Sequence, residues 1–512
     1  MMPPKKSGPS EYQHVEVNCQ RSIGGGQFAA GLQDFVFSIG RPSIFIPSKS
    51  YFRVELNVKG PGGNKPTIAN QLALAENAIS NGYNNAYFLA GGQTISAVTN
   101  YLPQISALEA RTSTSGAWLH SVGDTAFATG ANFSERVALL SEGSATGGFS
   151  QKPGVDITYR PAAGNFATAQ INITAADGVV AVGGVAGATL ADFEIGSTLV
   201  VDGAKYTIVA AGPPVVSPPP TVDIVNADDW YLVKRQTGIT DGSLQGKNGL
   251  QVLWRPTALG IFNHGGVLGS GDYRIQLNPD ASFRTAMIET PNADYAVEAN
   301  SYQLTIENVI FYAAVAKMEL PNSIETMRLT EFAALTKNMT SETGNYQFTV
   351  PNSTRALYVM IQAGDAGKNP AHPPSHFKVG AGQELDLTDV QITYASATKP
   401  MTRWKSGFNQ VGGVDKALLT QFYYQGLIEG DRASMSGGVE SQDEWLARGP
   451  FICARFDKDE NDRSTEVQVQ LSYGAGNWDA NTKVFLIAEY TNVVSIETSQ
   501  GLVTQVVKVA SA

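Results

Sequence analysis

The chain has 512 residues, a formal net charge of −10, and 16% charged against 43% hydrophobic side chains. That length permits two to four domains with cores of their own, and the composition excludes a disordered chain. The acidic balance excludes a nucleic-acid coat of the basic kind, and so small a charged fraction suits a protein that hides much of its surface against copies of itself.

The segment 1–42 is expected to be an N-terminal arm. It opens with the basic stretch MMPPKKSGPS, carries the flexible SIGGGQFAAG, and includes two short apolar runs, VEVNC and DFVFSIG. SIFIPSKSYFRVELNV then reads as the first strand of a folded body. Ile68, Leu72, Ala75 and Ile79 recur at helical spacing after a Thr67 cap and stop near Asn81-Gly82, which predicts a short helix. Residues 93–108 predict a second, interrupted by Pro103. Residues 162–228 differ in character: small residues, short Val/Ile strands and the polyproline exit PPVVSPPPTVDIV predict a compact β-module inserted in a surface loop.

Strands follow at QVLWRP, DYRIQL, YQLTIENVIFYAAV, QFTVP, ALYVMI and VQITY. Leu418, Leu419, Phe422 and Tyr423 form a further short helical stripe. Val467, Val469, Leu471 and Tyr473 alternate with Glu466, Gln468, Gln470 and Ser472, the signature of a strand with one wet face. VFLIAEY, after the turn GAGNWDANTK, reads as a strand buried on both faces. The chain is therefore expected to be all-β, with a few helices in its connections.

A weak internal repeat organises these strands. IFIPSKSYFRVELNV, from Ile44, and QFTVPNSTRALYVMI, from Gln347, superpose Ile46-Pro47-Ser48 on Val350-Pro351-Asn352, each ahead of a polar turn and an apolar strand. Two β-sandwiches in tandem, joined near ELPNSIE (319–325), are the expected arrangement.

No stretch argues for catalysis. Asp457, Asp459 and Asn461 have the opening spacing of an EF-hand loop, but Asp462 stands where the turn needs Gly and Gln468 where a bidentate Glu is needed. The segment is expected to be a charged strand-end loop. His372 and His376 are four apart among prolines that forbid the helix needed to align them, so zinc is not expected. His14, His120 and His264 are isolated. Nucleophile elbow, phosphate loop and H-E-x-x-H motifs are absent. Trp118, Trp230, Trp254, Trp404, Trp445 and Trp478 suit core and interface anchoring better than sugar stacking. Catalytic, cofactor-binding and metal residues are thus expected to be none. Two cysteines, Cys19 and Cys453, no secretory signal and no long apolar run fit synthesis inside a cell.

The last hundred residues, from DEWLARGPFICARFDKDENDRSTEVQVQLSY through VFLIAEYTNVVSIETSQGLVTQV, together with PTALGIFNHGGVLGSGDYRIQLNP and LTDVQITYASATKP, resemble the double-jelly-roll major capsid proteins of small tailless double-stranded DNA viruses. The likeness is strongest to those of polinton-like viruses and virophages and lies in strand order over most of residues 43–500. It implies two tandem eight-stranded jelly rolls, the first over 43–320 with the module at about 162–228 as an external tower, the second over 321–512 including a C-terminal tail. It also implies a homotrimer filling a pseudo-hexagonal position in an icosahedral shell, assembled inside the host cell. The expected partners are neighbouring capsomers and minor capsid or penton proteins, with genome DNA or an internal membrane met through the N-terminal arm. Another virion component of β-sandwich build, a penton or spike, and a carbohydrate-binding or hydrolytic sandwich are the competing readings.

Overall fold

The computed structural model describes residues 11–20, 31–59, 73–113, 156–159, 170–182, 198–211, 214–227, 229–235, 249–289, 303–318, 323–341, 343–369, 372–377, 387–405, 408–409, 413–414, 420–421, 423–424, 442, 445, 448–456, 464–473, 481–499 and 502–509. The chain divides into two compact units, residues 142–248 and the remainder.

In the larger unit the first sandwich is built from β1 (Gln13–Asn18), β2 (Gln33–Ile39), β3 (Tyr51–Lys59), β4 (Tyr83–Ala90), β5 (Gln93–Val98), β6 (Gly249–Trp254), β7 (Gly271–Pro279) and β8 (Gln303–Lys317). These strands form two antiparallel sheets, in the orders β1-β8-β3-β6 and β2-β7-β4-β5. A short strand, Ser43–Phe45, also pairs with β8. The second sandwich uses β9 (Ser323–Asn338), β10 (Thr343–Thr349), β11 (Thr354–Gln362), β12 (Leu387–Tyr394), β13 (Ala397–Lys405), β14 (Phe451–Arg455), β15 (Glu466–Tyr473) and β16 (Lys483–Ser499). Its sheets run β9-β16-β11-β14 and β10-β15-β12-β13, with β17 (Leu502–Val509) added alongside β16. Ranked by position within its own roll, each sandwich reads 1-8-3-6 over 2-7-4-5. That is the jelly-roll order, met twice in one chain.

Alternation accounts for the cores. In β3, Phe52, Val54 and Leu56 are buried while Tyr51, Arg53 and Glu55 are only half covered, because successive side chains leave a strand on opposite faces. The inward rings meet those of the facing sheet: Phe52 lies 5.1 Å from Phe35 and Phe311 5.5 Å from Phe37, while Phe311 and Phe52, paired in one sheet, lie 4.8 Å apart. β16 is buried through Val484–Ala488 on both faces, as a central strand covered on each side must be.

The repeat visible in sequence marks the same turn in both rolls. Ser50 N–H donates to Pro47 O at 3.0 Å and Thr354 N–H to Pro351 O at 3.1 Å, each at the entry to the third strand of its sandwich. Past that turn a bulge in β11, between Thr354 and Ala356, shifts the second roll's register by one residue.

The structure corrects several expectations. Gln13–Asn18 and Gln33–Ile39 are strands of the first roll and not part of an arm. VEVN of VEVNC lies in β1, which pairs with β8 from Gln13↔Val315 to Asn18↔Ile310, and DFVFSI of DFVFSIG lies in β2, which pairs with β7. Phe35, Phe37 and Ile39 enter the core, so the first roll begins well before residue 43. The helix expected around Ile68–Ile79 reduces to one turn, Ala78–Asn81, because Ala73–Leu74 is extended and pairs with Ile288–Glu289; Thr67, Ile68 and Leu72 lie outside the described residues. Residues 93–108 divide into β5 and a helix, α1 (Leu102–Ser113), with Pro103 in its first turn, where a missing N–H costs nothing. Leu418, Leu419 and Phe422 lie outside the described residues.

The smaller unit occurs in the connection between β5 and β6 and is wider than the expected 162–228. One sheet has the order Pro214–Ser217, Ala204–Ala211, Thr198–Val201, Trp230–Arg235, Asp156–Tyr159; the other joins Val180–Val182, Ile171–Ile173 and Ile224–Ala227. Its core is separate, with Ile171, Leu199, Ile208, Leu232 and the fully buried Trp230.

Phe311→Ala removes the ring on which Phe37, Phe45, Phe52 and Phe262 converge. The expected loss is about 3–5 kcal/mol in stability, read by urea unfolding.

Candidate assembly surfaces

The chemistry-bearing residues of the larger unit concentrate where its two rolls meet. Helix α1 follows β5 of the first roll and is buried at every position except Ala110 and Ser113. A helix with so little free surface must satisfy its polar side chains internally. Glu109 reaches back into the first roll, accepting from Thr257 Oγ1 at 2.6 Å and Asn263 Nδ2 at 2.8 Å. Arg111 reaches into the second, donating to Gly449 O at 2.8 Å and lying over the rings of Phe451 (4.8 Å) and Phe377 (5.4 Å). Gly449 has φ +88°, and a Cβ there would run into the Phe377 carbonyl. Gln104 donates to Gln362 Oε1 at 2.9 Å, while Tyr101 meets Phe485 edge-on at 5.2 Å.

A second tie is ionic. Arg448 Nε donates to Glu76 Oε2 at 2.8 Å, with both side chains 6% exposed. His376 lies 3.6 Å from Glu76 and 3.8 Å from Glu289. Asn492 Nδ2 donates to Ile95 O at 3.0 Å, and Val503 N–H of β17 donates to Ser270 O at 2.8 Å. One continuous apolar cluster includes Phe35, Phe52 and Phe311 of the first roll and Leu357, Phe451 and Leu486 of the second.

The face that receives α1 is the outer face of the sheet β9-β16-β11-β14. Tyr358, Met360, Phe451 and Cys453 share it and are at most 1% exposed. The same face of the first roll, on β1-β8-β3-β6, carries a stripe of rings. Tyr12 and His14 lie 5.4 Å apart, His14 and Tyr51 5.1 Å, and Tyr51 stacks on Tyr312 at 5.2 Å. Arg53 stands 5.5 Å over the Tyr312 ring and 3.4 Å from Glu55. Tyr312 donates to Glu16 Oε1 at 2.8 Å. Burial and that bond to a carboxylate push the Tyr312 phenol up to about 12, so it is a neutral donor at neutral pH.

The residues weighed from sequence are dispersed. His372 contacts Asp365 at 2.6 Å, whereas His376 belongs to the inter-roll cluster. The Asp365 carboxyl is held below the usual range, chiefly by its hydrogen bond with His372. Asp457, Asp459, Asn461 and Asp462 lie outside the described residues, in the connection between β14 and β15. Among the described residues no group of three His, Cys, Asp or Glu side chains is placed to hold a metal, and no helix is long and apolar enough to cross a membrane. Trp230, Trp254 and Trp445 are buried, and Trp254 donates to Ser80 Oγ at 2.9 Å. Trp118 and Trp478 lie outside the described residues, as does the side chain of Trp404.

No family model matches the sequence, and no curated protein matches it significantly. Among solved structures, a chain of the Sputnik virophage aligns over 99% of this chain and 89% of its own, at 10% identity and a TM-score of 0.51. The mavirus major capsid protein aligns over 100% and 92%, at 11% identity and a TM-score of 0.47. The Faustovirus major capsid protein aligns over 96% and 92%, at 8% identity and a TM-score of 0.47.

Glu76→Ala leaves the Arg448 guanidinium buried without this carboxylate. The expected loss is about 3–5 kcal/mol, measured by chemical denaturation, and Arg111→Met is expected to weaken the same junction by about 2 kcal/mol. At such low identity the likeness is one of fold, and the chain shares the double-jelly-roll architecture with the virophage chain.

Proposed function

We propose that this chain is a major capsid protein: a structural, non-enzymatic subunit that forms homotrimers, and whose trimers tile an icosahedral virus shell. The observation that carries the reading is the double jelly roll itself, two sandwiches of one strand order sharing a single core, a build also found in a chain of a virophage particle. Two similar lobes held as one rigid piece are what a three-fold ring of six lobes requires. Arg111 with Gly449 and Glu76 with Arg448 tie the two rolls together, which suits a rigid building block. A charged fraction of only 16% agrees with extensive contact between copies.

Native mass spectrometry of the purified chain is expected to give a trimer at micromolar concentration, and negative-stain images should show three-fold particles with hexagonal outline. A well-behaved monomer would sink the proposal. Stoichiometry in assembled particles separates this reading from a penton or spike, which would be present in few copies. In the same mass measurement, replacing residues 142–248 by a short Gly/Ser linker should leave the trimer intact, because that unit has its own core.

Neighbouring capsomers and minor vertex proteins are the further partners of this reading. Lys5 and Lys6, in the segment before β1, would face packaged DNA or an internal membrane. Removing residues 1–10 spares β1 and should yield trimers that no longer close into shells. Normal shell assembly by the truncated chain would overturn that role.

A further inference from the structure

We infer that a cavity at the junction of the two rolls, walled by Asn81, Gln104, Asp280, Lys368 and Lys483, is a binding site for a neutral polyhydroxylated molecule the size of a monosaccharide. The inference goes beyond the capsid reading and does not depend on how copies assemble. The cavity lies where connections of the two rolls approach each other. Asn81 comes from the β3–β4 connection, Gln104 from the first turn of α1, and Asp280 from the β7–β8 connection, while Lys368 follows β11 and Lys483 opens β16. Connections held on a rigid pair of sandwiches are a common place for a ligand.

The amides in this wall are oriented by what they donate to. Gln362 Nε2 donates to Pro374 O at 2.9 Å and to His376 O at 2.7 Å. Its Oε1 is therefore an acceptor, and Gln104 Nε2 donates to it at 2.9 Å. Asn81 Nδ2 donates to Glu76 O at 3.1 Å and to Ser375 Oγ at 3.2 Å. Flipping the Gln104 or Asn81 amide would set its oxygen against an acceptor, so both carbonyl groups are held where they stand. Asn81 and Gln104 are 1% and 6% exposed, and Asn81 Oδ1 and Gln104 Oε1 have no hydrogen-bond partner among the described residues. Buried polar atoms in folded proteins are almost always paired. Two such acceptors on the wall of one cavity therefore call for a ligand that donates.

Charge selects the class of ligand. A cation is repelled by the ammonium groups of Lys368 and Lys483. An anion is repelled by the Asp280 carboxylate, whose Oδ1 accepts from Ser282 N–H at 2.7 Å, and by the two amide oxygens. Hydroxyl groups both donate and accept, so they suit the whole wall: they give hydrogens to Asn81 Oδ1 and Gln104 Oε1 and take them from the lysines. Tyr101 and Phe485, edge-on at 5.2 Å, supply an apolar flank for the C–H groups of such a molecule. Size agrees as well. The cavity volume is about 140 Å³. At roughly 10–15 Å³ for each water it takes on the order of ten, close to the roughly dozen heavy atoms of a hexose.

Saturation-transfer NMR and calorimetry on the purified full-length chain test this, with glucose, galactose and mannose as probes and the uronate and 2-amino sugar of each series as charged controls. At least one neutral hexose is expected to bind saturably, with a Kd on the order of 1 mM, and more tightly than either of its charged controls. Its methyl glycoside tells the two sources of such a ligand apart: retained affinity assigns the end of a glycan chain, and lost affinity assigns a free sugar. Ala366→Leu fills the cavity wall without removing a side-chain hydrogen bond and is expected to weaken binding at least ~tenfold. Should that variant fail to fold, Lys368→Ala, at an exposed side chain, is expected to weaken binding by roughly threefold or more. No saturable binding of any neutral hexose up to roughly 50 mM, tighter binding of a charged control, or unchanged affinity in the folded variants overturns the site. So does a crystal soaked in the hexose that shows only water at Asn81 Oδ1 and Gln104 Oε1. None of these outcomes bears on the trimer, so the capsid reading is tested separately.

Discussion

The burial of α1 between the two rolls is the constraint on which the rest of the larger unit depends. Its polar residues divide by direction, Glu109 bonding to Thr257 and Asn263 of one roll and Arg111 to Gly449 of the other. Neither group can be left without partners in so dry a place, since an unpaired buried charge costs several kcal/mol. The helix thus permits one relative placement of the sandwiches. Glu76 with Arg448, and β17 against Ser270, fix the same placement from other directions.

A rigid pair of lobes follows from ordinary β-sheet physics carried out twice. In each roll the eighth strand sits between the first and third, so the longest strands, β8 and β16, are central and paired on both edges. A central strand has no free backbone edge and can be apolar on both faces, whereas the exposed edge strand β1 buries only Val17. The outward faces of the two rolls differ in character. Tyr358, Met360 and Cys453 are buried where α1 packs on their sheet, and Arg53 and Glu55 keep 30% and 31% of their side chains exposed.

Much of this was legible in advance, for a physical reason that varies with the element. Strands with one wet face declare themselves by alternation, and β15 is such a strand. The shared Pro47 and Pro351 turns were visible because a proline-led turn is local. β1 and β2 were harder. VEVNC and DFVFSIG look like isolated scraps beside glycine-rich sequence, and only pairing with β8 and β7, more than two hundred residues away, makes them strands. Helix α1 was anticipated only in part, within residues 93–108: Glu109 and Arg111 look solvated in LPQISALEARTS, and only the packing of the two rolls buries them.

The sequence by itself determined the all-β class and the tandem repeat, because alternation and turn chemistry are properties of neighbouring residues. Which strands pair, where α1 lies, and which of two equivalent faces is covered were decided only by tertiary structure. Those outcomes depend on contacts between residues hundreds of positions apart. Arg111 with Gly449 and Glu76 with Arg448 are examples whose meaning appears only once the two rolls are side by side.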